Sequence, residues 1–326
     1  MSELDAATML RTIAERQAST PPDAQAGLRG EWAKLCRRTA DRLDAVVGLA
    51  EQAAAPEPGS LLEQEIARVT VRNRSGRPIR ALQTAILPAA MSLSVAADSL
   101  RSMAAALPVA ETVLPVEVLG RHILECASTA LWLLAPRIGG RARVARLFLL
   151  RYESGVQEAR AAKAIGTQRA GPTPEEVAAV ASDWGWHLQK PGKGRSLSVE
   201  GESLPGPTNR AEQLLHRIRA AGAYHLYSGS SHAEMYGLWR ALSPPLTAAG
   251  ETYNLIEFDY LAAWHAVRTS NLSTLTAALD YLSLKGRDVS EVLSAVAECE
   301  TALTSIHPEL PQKSEPPDTT SGFHDV

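Results

Sequence analysis

Two long stretches, "ALQTAILPAAMSLSVAADSLRSMAAAL" and "VEVLGRHILECASTALWLLAP", constrain the fold of this 326-residue chain more than any other feature. Each is apolar over a length that suggests a membrane span, yet each carries groups that a bilayer centre penalises. The first contains Gln83, Pro88, Asp98 and Arg101, and the second Arg121, His122 and Glu125. A helix that is apolar nearly all round belongs at the centre of a bundle, where neighbouring helices cover it and supply partners for its charges. The expectation is therefore a soluble protein outside the membrane, built by helix packing.

The rest of the chain agrees. It is rich in Ala, Leu and Arg and holds 3 Phe, so helix formers dominate. Helical periodicity predicts elements at about 3–17, 27–54, 59–72, 79–106, 115–135, 139–166, 173–183, 209–221, 223–242, 252–284 and 288–305, with breaks at Pro and Gly clusters. Between Trp184 and Thr208 the sequence turns Gly-, Pro- and Ser-rich with short alternating runs. The predicted fold is an all-α bundle of long antiparallel helices with one small irregular or hairpin excursion near 184–208. Its expected organisation is an N-terminal helical segment (1–25), a single helical-bundle domain (26–306) and a polar, Pro-rich, disordered tail (307–326).

Charge and cysteine usage narrow the classes of function. A net charge of −3 argues against wholesale coating of nucleic acid while leaving room for a local basic patch. Cys36, Cys126 and Cys299 are too widely spaced for a zinc ligand set or a disulfide framework, which predicts a reduced, cytoplasmic setting. "MSELDAATMLRTIAERQ" lacks the uninterrupted apolar core of a signal peptide. Neither His122 with Glu125 nor Glu257, Asp259 and His265 makes a matched carboxylate–histidine set, so no metal is expected. "SGSSH" is not a nucleophile elbow and "GKGRS" is not a phosphate-binding loop, so no cofactor is expected either.

The stretch "YHLYSGSSHAEMYGLWRAL" puts polar residues where a helix usually buries aliphatics. On a wheel advancing about 100° per residue, Tyr224, Ser228, Ser231, His232, Met235 and Trp239 share one face. On the helix from 115, Arg121, Glu125, Ser128 and Trp132 form a stripe of similar character. The two stripes are predicted to face each other, with Arg121 and Glu125 serving Tyr224, Ser228 and His232. Such a network either fixes helix register or lines a pocket, with His232 as acid or base and Arg121 as anion anchor. In a pocket, Trp132, Tyr224, Met235 and Trp239 would form the walls for a small molecule.

These residues resemble a group of uncharacterised bacterial all-helical proteins, in which an R-x-x-x-E helix runs into W-L-L and an Arg-rich helix, and a later helix carries Y-x-x-x-S-x-x-x-H. Arg121, Glu125, Trp132, Arg143 and Arg146 match the first part, and Tyr224, Ser228, His232 and Ala233 the second. The resemblance covers about 110–240 and implies an all-helical fold with a shared polar centre, but no activity. "RAAGAYH", from Arg219 to His225, is similar to the R-x(4–6)-H motif of HEPN helical ribonucleases and toxins, with Ala220 where that family often carries Asn, Asp or His. That likeness implies metal-independent RNA cleavage at a site paired across a homodimer. His225 would then take the 2′-OH proton and Arg219 would stabilise the phosphorane charge. Arginines at 68, 72, 74, 77 and 80, and at 137, 141, 143, 146 and 151, would supply a phosphate-binding stripe for RNA. The leading expectation is a HEPN-like RNA-binding or RNA-cleaving protein. The alternatives are a non-enzymatic interaction or regulatory module, and a small-molecule-binding helical pocket.

Overall fold

The computed structural model describes residues 22–52, 55–72, 76–109, 115–189, 197–231, 246–248, 251–253 and 260–306. Among them run helices α1 (Pro22–Gln52), α2 (Leu61–Arg68), α3 (Ala81–Ala106), α4 (Pro115–Leu134), α5 (Gly140–Ile165), α6 (Pro174–Asp183), α7 (Pro207–Arg217), α8 (Ala223–Ser231), α9 (Tyr260–Lys285) and α10 (Ser290–Ile306). The fold is all-α. Its strands form small antiparallel sheets: β1 (Val71–Arg72) with β2 (Pro78–Ile79), β3 (Leu188–Gln189) with β4 (Ser198–Val199) and β5 (Glu202–Ser203), and β6 (Leu246–Ala248) with β7 (Glu251–Tyr253).

Local sequence sets the ends of these helices. Ser60 accepts the Glu63 N–H at the start of α2, and Thr173 and Glu176 close a reciprocal capping box around Pro174 at the start of α6. Gly166, at φ +70°, ends α5 in the left-handed conformation that glycine adopts without a Cβ penalty.

α4 is central. It packs against α3 on one side and α9 on the other, with α7 and α8 laid across it. α1 packs on α3 and α9, α10 on α9, α5 on α3, and α6 on α5. Leu93, Leu100, Met103, Ile123, Leu124, Leu133, Phe148 and Val267 are fully enclosed in the shared core. Gly120 brings α4 and α9 close together: a Cβ there would lie 3.2 Å from the Ala266 Cβ. α3 is the one helix among the described residues long and apolar enough to cross a membrane, and half of its apolar window is buried against its neighbours.

The most deeply buried polar groups lie away from the predicted stripe. Arg143, 0% exposed, donates to both oxygens of Glu65 at 2.8 and 3.3 Å and to the Leu133 carbonyl at 2.8 Å, tying α5 to α2 and to the end of α4. This corrects one expectation: Arg143 cannot belong to a phosphate-binding stripe. On α9, Thr269, Ser270, Asn271, Ser273 and Thr274 are all fully buried. Thr269 bonds the Tyr227 hydroxyl at 2.9 Å, and Asn271 donates to the Val267 carbonyl at 2.7 Å and to the Cys36 sulfur at 3.5 Å.

Other expectations shift locally. The Arg-rich end of the predicted 59–72 helix is a short β1–β2 pairing, because α2 stops at Arg68. The predicted helix start at 252 is strand β7, and α9 begins at Tyr260. The 184–208 excursion forms β3–β4–β5, with Glu200 and Gly201 both at positive φ in the turn between β4 and β5. The segments predicted at 3–17 and 307–326, together with the continuation of α8 beyond Ser231, lie outside the described residues.

Candidate functional site

The i, i+4 spacing of Arg121 and Glu125 on α4 lets the two side chains meet. The Arg121 Nε donates to Glu125 Oε1 at 2.9 Å. Tyr224, on α8, donates its hydroxyl to the same oxygen at 2.8 Å and accepts from Arg121 at 3.4 Å. The guanidinium lies over the Tyr224 ring, 5.4 Å from its centroid. Burial and the bond to Glu125 both push the Tyr224 phenol above its ordinary range. Burial alone would weaken the Arg121 cation, but Glu125 and Tyr224 outweigh it and hold the group above its usual value.

The predicted meeting of the α4 and α8 stripes is therefore present at Arg121, Glu125 and Tyr224, at the margin of the bundle. The Arg121 and Glu125 side chains are 19% and 33% exposed, so the network is half-buried, not the sealed polar centre expected. The Ser231 hydroxyl donates at 2.8 Å to the Tyr227 carbonyl of its own helix. Ser128 likewise bonds the Glu125 carbonyl, at 3.1 Å. Ser228 is half-buried one turn beyond Tyr224. His232, Met235 and Trp239 fall outside the described residues, as do Arg74, Glu257 and Asp259.

Beside this network opens a cleft of about 430 Å³, walled by α4, α5, the β4–β5 turn with the segment after β5, and α7. Its apolar wall is Leu131 and Trp132 on α4, Ala135 just past the end of α4 and Leu214 on α7, and its cations are Arg146, Arg210 and Arg217. Two of these arginines carry their own carboxylate. Arg146 donates to Glu202 at 2.7 Å and to the Trp132 carbonyl, with its guanidinium 4.9 Å from the Trp132 ring centroid. Arg217 makes a two-pronged contact with Asp280, at 2.8 and 3.1 Å.

Arg210 is different. One terminal nitrogen donates to the Pro205 carbonyl at 2.5 Å, and its Nε is buried with no hydrogen-bond partner among the described residues. Burial pushes its pKa below the ordinary arginine value, opposed by the charges of Glu125 and Tyr224. Glu125 is already engaged by Arg121 and Tyr224. The cleft thus holds a half-buried cation without a carboxylate of its own beside an apolar wall. Sequence reading placed Ser128 and Trp132 here but missed Arg210, because α7 carries no motif and its place beside α4 depends on long-range packing.

The other predicted groups are dispersed. Arg219 sits in the turn after α7 at φ +54° and is exposed. The His225 side chain is 70% exposed, with its Nε2 4.0 Å from Glu212. Of the second arginine cluster, Arg141 is engaged by Glu200, the Gly185 carbonyl and the Trp186 ring, while Arg143 is sealed inside. His122, on the exposed side of α4, has its Nε2 3.9 Å from the Cys126 sulfur. Among the described residues no group of three His, Cys, Asp or Glu side chains is placed to hold a metal. No family model, curated protein or solved structure matches the chain.

Proposed function

We propose that the protein is a binding module for a small organic anion, taken into the cleft between α4, α5 and α7. The observation that carries this reading is Arg210. Half-burying a guanidinium without a paired carboxylate carries a desolvation cost, and an incoming anion offsets it. Arg146 and Arg217, each already neutralised, add donors without demanding a second ligand charge. The edges of Leu131, Trp132 and Leu214, each over nine-tenths buried, with the half-buried Ala135, leave a narrow apolar strip, so the fitting ligand carries one anionic head on a small flat frame.

HEPN-like chemistry is the second reading. It rests on Arg219, in the turn between α7 and α8, and His225, in the first turn of α8, both exposed. One experiment separates the two. Wild type, Arg210→Gln and His225→Ala are melted with benzoate, with inorganic phosphate and with a single-stranded RNA, and RNA cleavage in chelator is followed in parallel. Small anions are expected to raise the wild-type Tm in a saturable manner; a ligand at about a hundred times its Kd adds about 2.7 kcal/mol. Arg210→Gln should lose that response and His225→Ala should keep it. An anion response unchanged in Arg210→Gln would overturn the cleft reading. Cleavage abolished by His225→Ala would establish the ribonuclease reading instead.

A further inference from the structure

The exposed face of α3 carries a second, independent feature. Leu87, Met91 and Val95 are 52%, 60% and 44% exposed and stand one helical turn apart, forming a continuous apolar ladder along the helix. Single exposed aliphatics are ordinary on a protein surface, but an aligned row on a core helix is not. The ladder runs between ends of opposite charge. Exposed Arg77 and Arg80 lie at its N-terminal end, with Arg72 on β1 close behind. At the other end Asp98, Asp41 and Asp44 gather around Arg101, with exposures of 83%, 72% and 51% against 38%.

This pattern is its own complement when reversed. We propose that the α3 ladder is the contact between two copies of this chain, packed antiparallel about a two-fold axis at the level of residue 89. That axis sets Leu87 against the partner's Met91, and Met91 against the partner's Leu87. It sets Arg80 against the partner's Asp98, about 13 Å from the axis at the rise of an α-helix. At this register Leu87 and Met91 of the two copies cover one another, Val95 lies against the partner's Gln83, and Arg80 meets the partner's Asp98, as a closed isologous interface requires. A parallel arrangement would place the aspartates of the two copies together and is disfavoured. Because the contact is two-fold, it closes at the dimer and leaves both clefts open.

Sedimentation velocity over a concentration series tests this on the full chain, with circular dichroism and Tm as controls for folding. All the altered positions are exposed, and because Asp98→Arg also gives up the Asp98–Arg101 pair within the monomer, its Tm is compared with wild type before the dimer is scored. Wild type should be dimeric, and Met91→Glu should shift it to monomer. Arg80→Glu and Asp98→Arg should each weaken the dimer by about tenfold, and the two together should restore it by exchanging the partners. A monomeric wild type, or a dimer indifferent to Met91→Glu, would overturn the proposal. So would failure of the doubly reversed variant to recover, since the charge register defines the interface.

Discussion

Arg143 and Arg210 show how differently one side-chain type behaves when its partners differ. Arg143 is fully enclosed, yet it donates to both Glu65 oxygens and to the Leu133 carbonyl, so the charge is neutralised and its donors are used. Removing one member of such a pair leaves the other charged inside the protein. Glu65→Ala is therefore expected to destabilise the fold by about 3–5 kcal/mol, measured by chemical denaturation; a loss under about 1 kcal/mol would mean the pair is dispensable. Arg210 has no comparable partner, and that contrast is what supports the proposed binding role of the cleft. Burial pushes the Cys36 and Cys299 thiols up to about 12 and Cys126 up to about 11, so little reactive thiolate forms at any of them near neutral pH.

At the scale of elements, α6 gives a clear pH dependence. Hydrogen bonds from the Thr173 backbone and side chain hold the Glu176 carboxyl below its ordinary value. A folded-state value below the unfolded one means that the contribution is present above the usual carboxylate range and disappears as the pH falls through it. Wild type should therefore melt above Glu176→Gln at neutral pH, and the difference should close on acidification. A gap that persists in acid would show that the charge of Glu176 is not what secures the helix start.

Most helix spans were legible, because apolar periodicity and Pro and Gly breaks are local properties of the chain. The i, i+4 pair of Arg121 and Glu125 was legible for the same reason. Its partner Tyr224 required guessing which helices meet, and that guess rested on the matching character of two stripes. The β1–β2 and β6–β7 pairings were missed because two- and three-residue strands leave almost no periodicity to read. Arg143 was misread as surface, since nothing local distinguishes an arginine that will find Glu65 across the fold from one that meets water.

On the scale of the whole molecule, the two proposed surfaces are separate and use different parts of the bundle. The α3 ladder faces outward, whereas the cleft lies between α4, α5 and α7. The central claim is that Arg210 is kept for a ligand at a cost to the empty fold, and it is tested most directly by Arg210→Met. Methionine keeps much of the side-chain volume while removing the half-buried charge. Thermal melts of wild type and Arg210→Met, with and without benzoate, should show the variant more stable than wild type in the absence of ligand by about 1 kcal/mol, and indifferent to the anion. If Arg210→Met is instead less stable and still responds to benzoate, Arg210 is part of the architecture and the anion binds elsewhere.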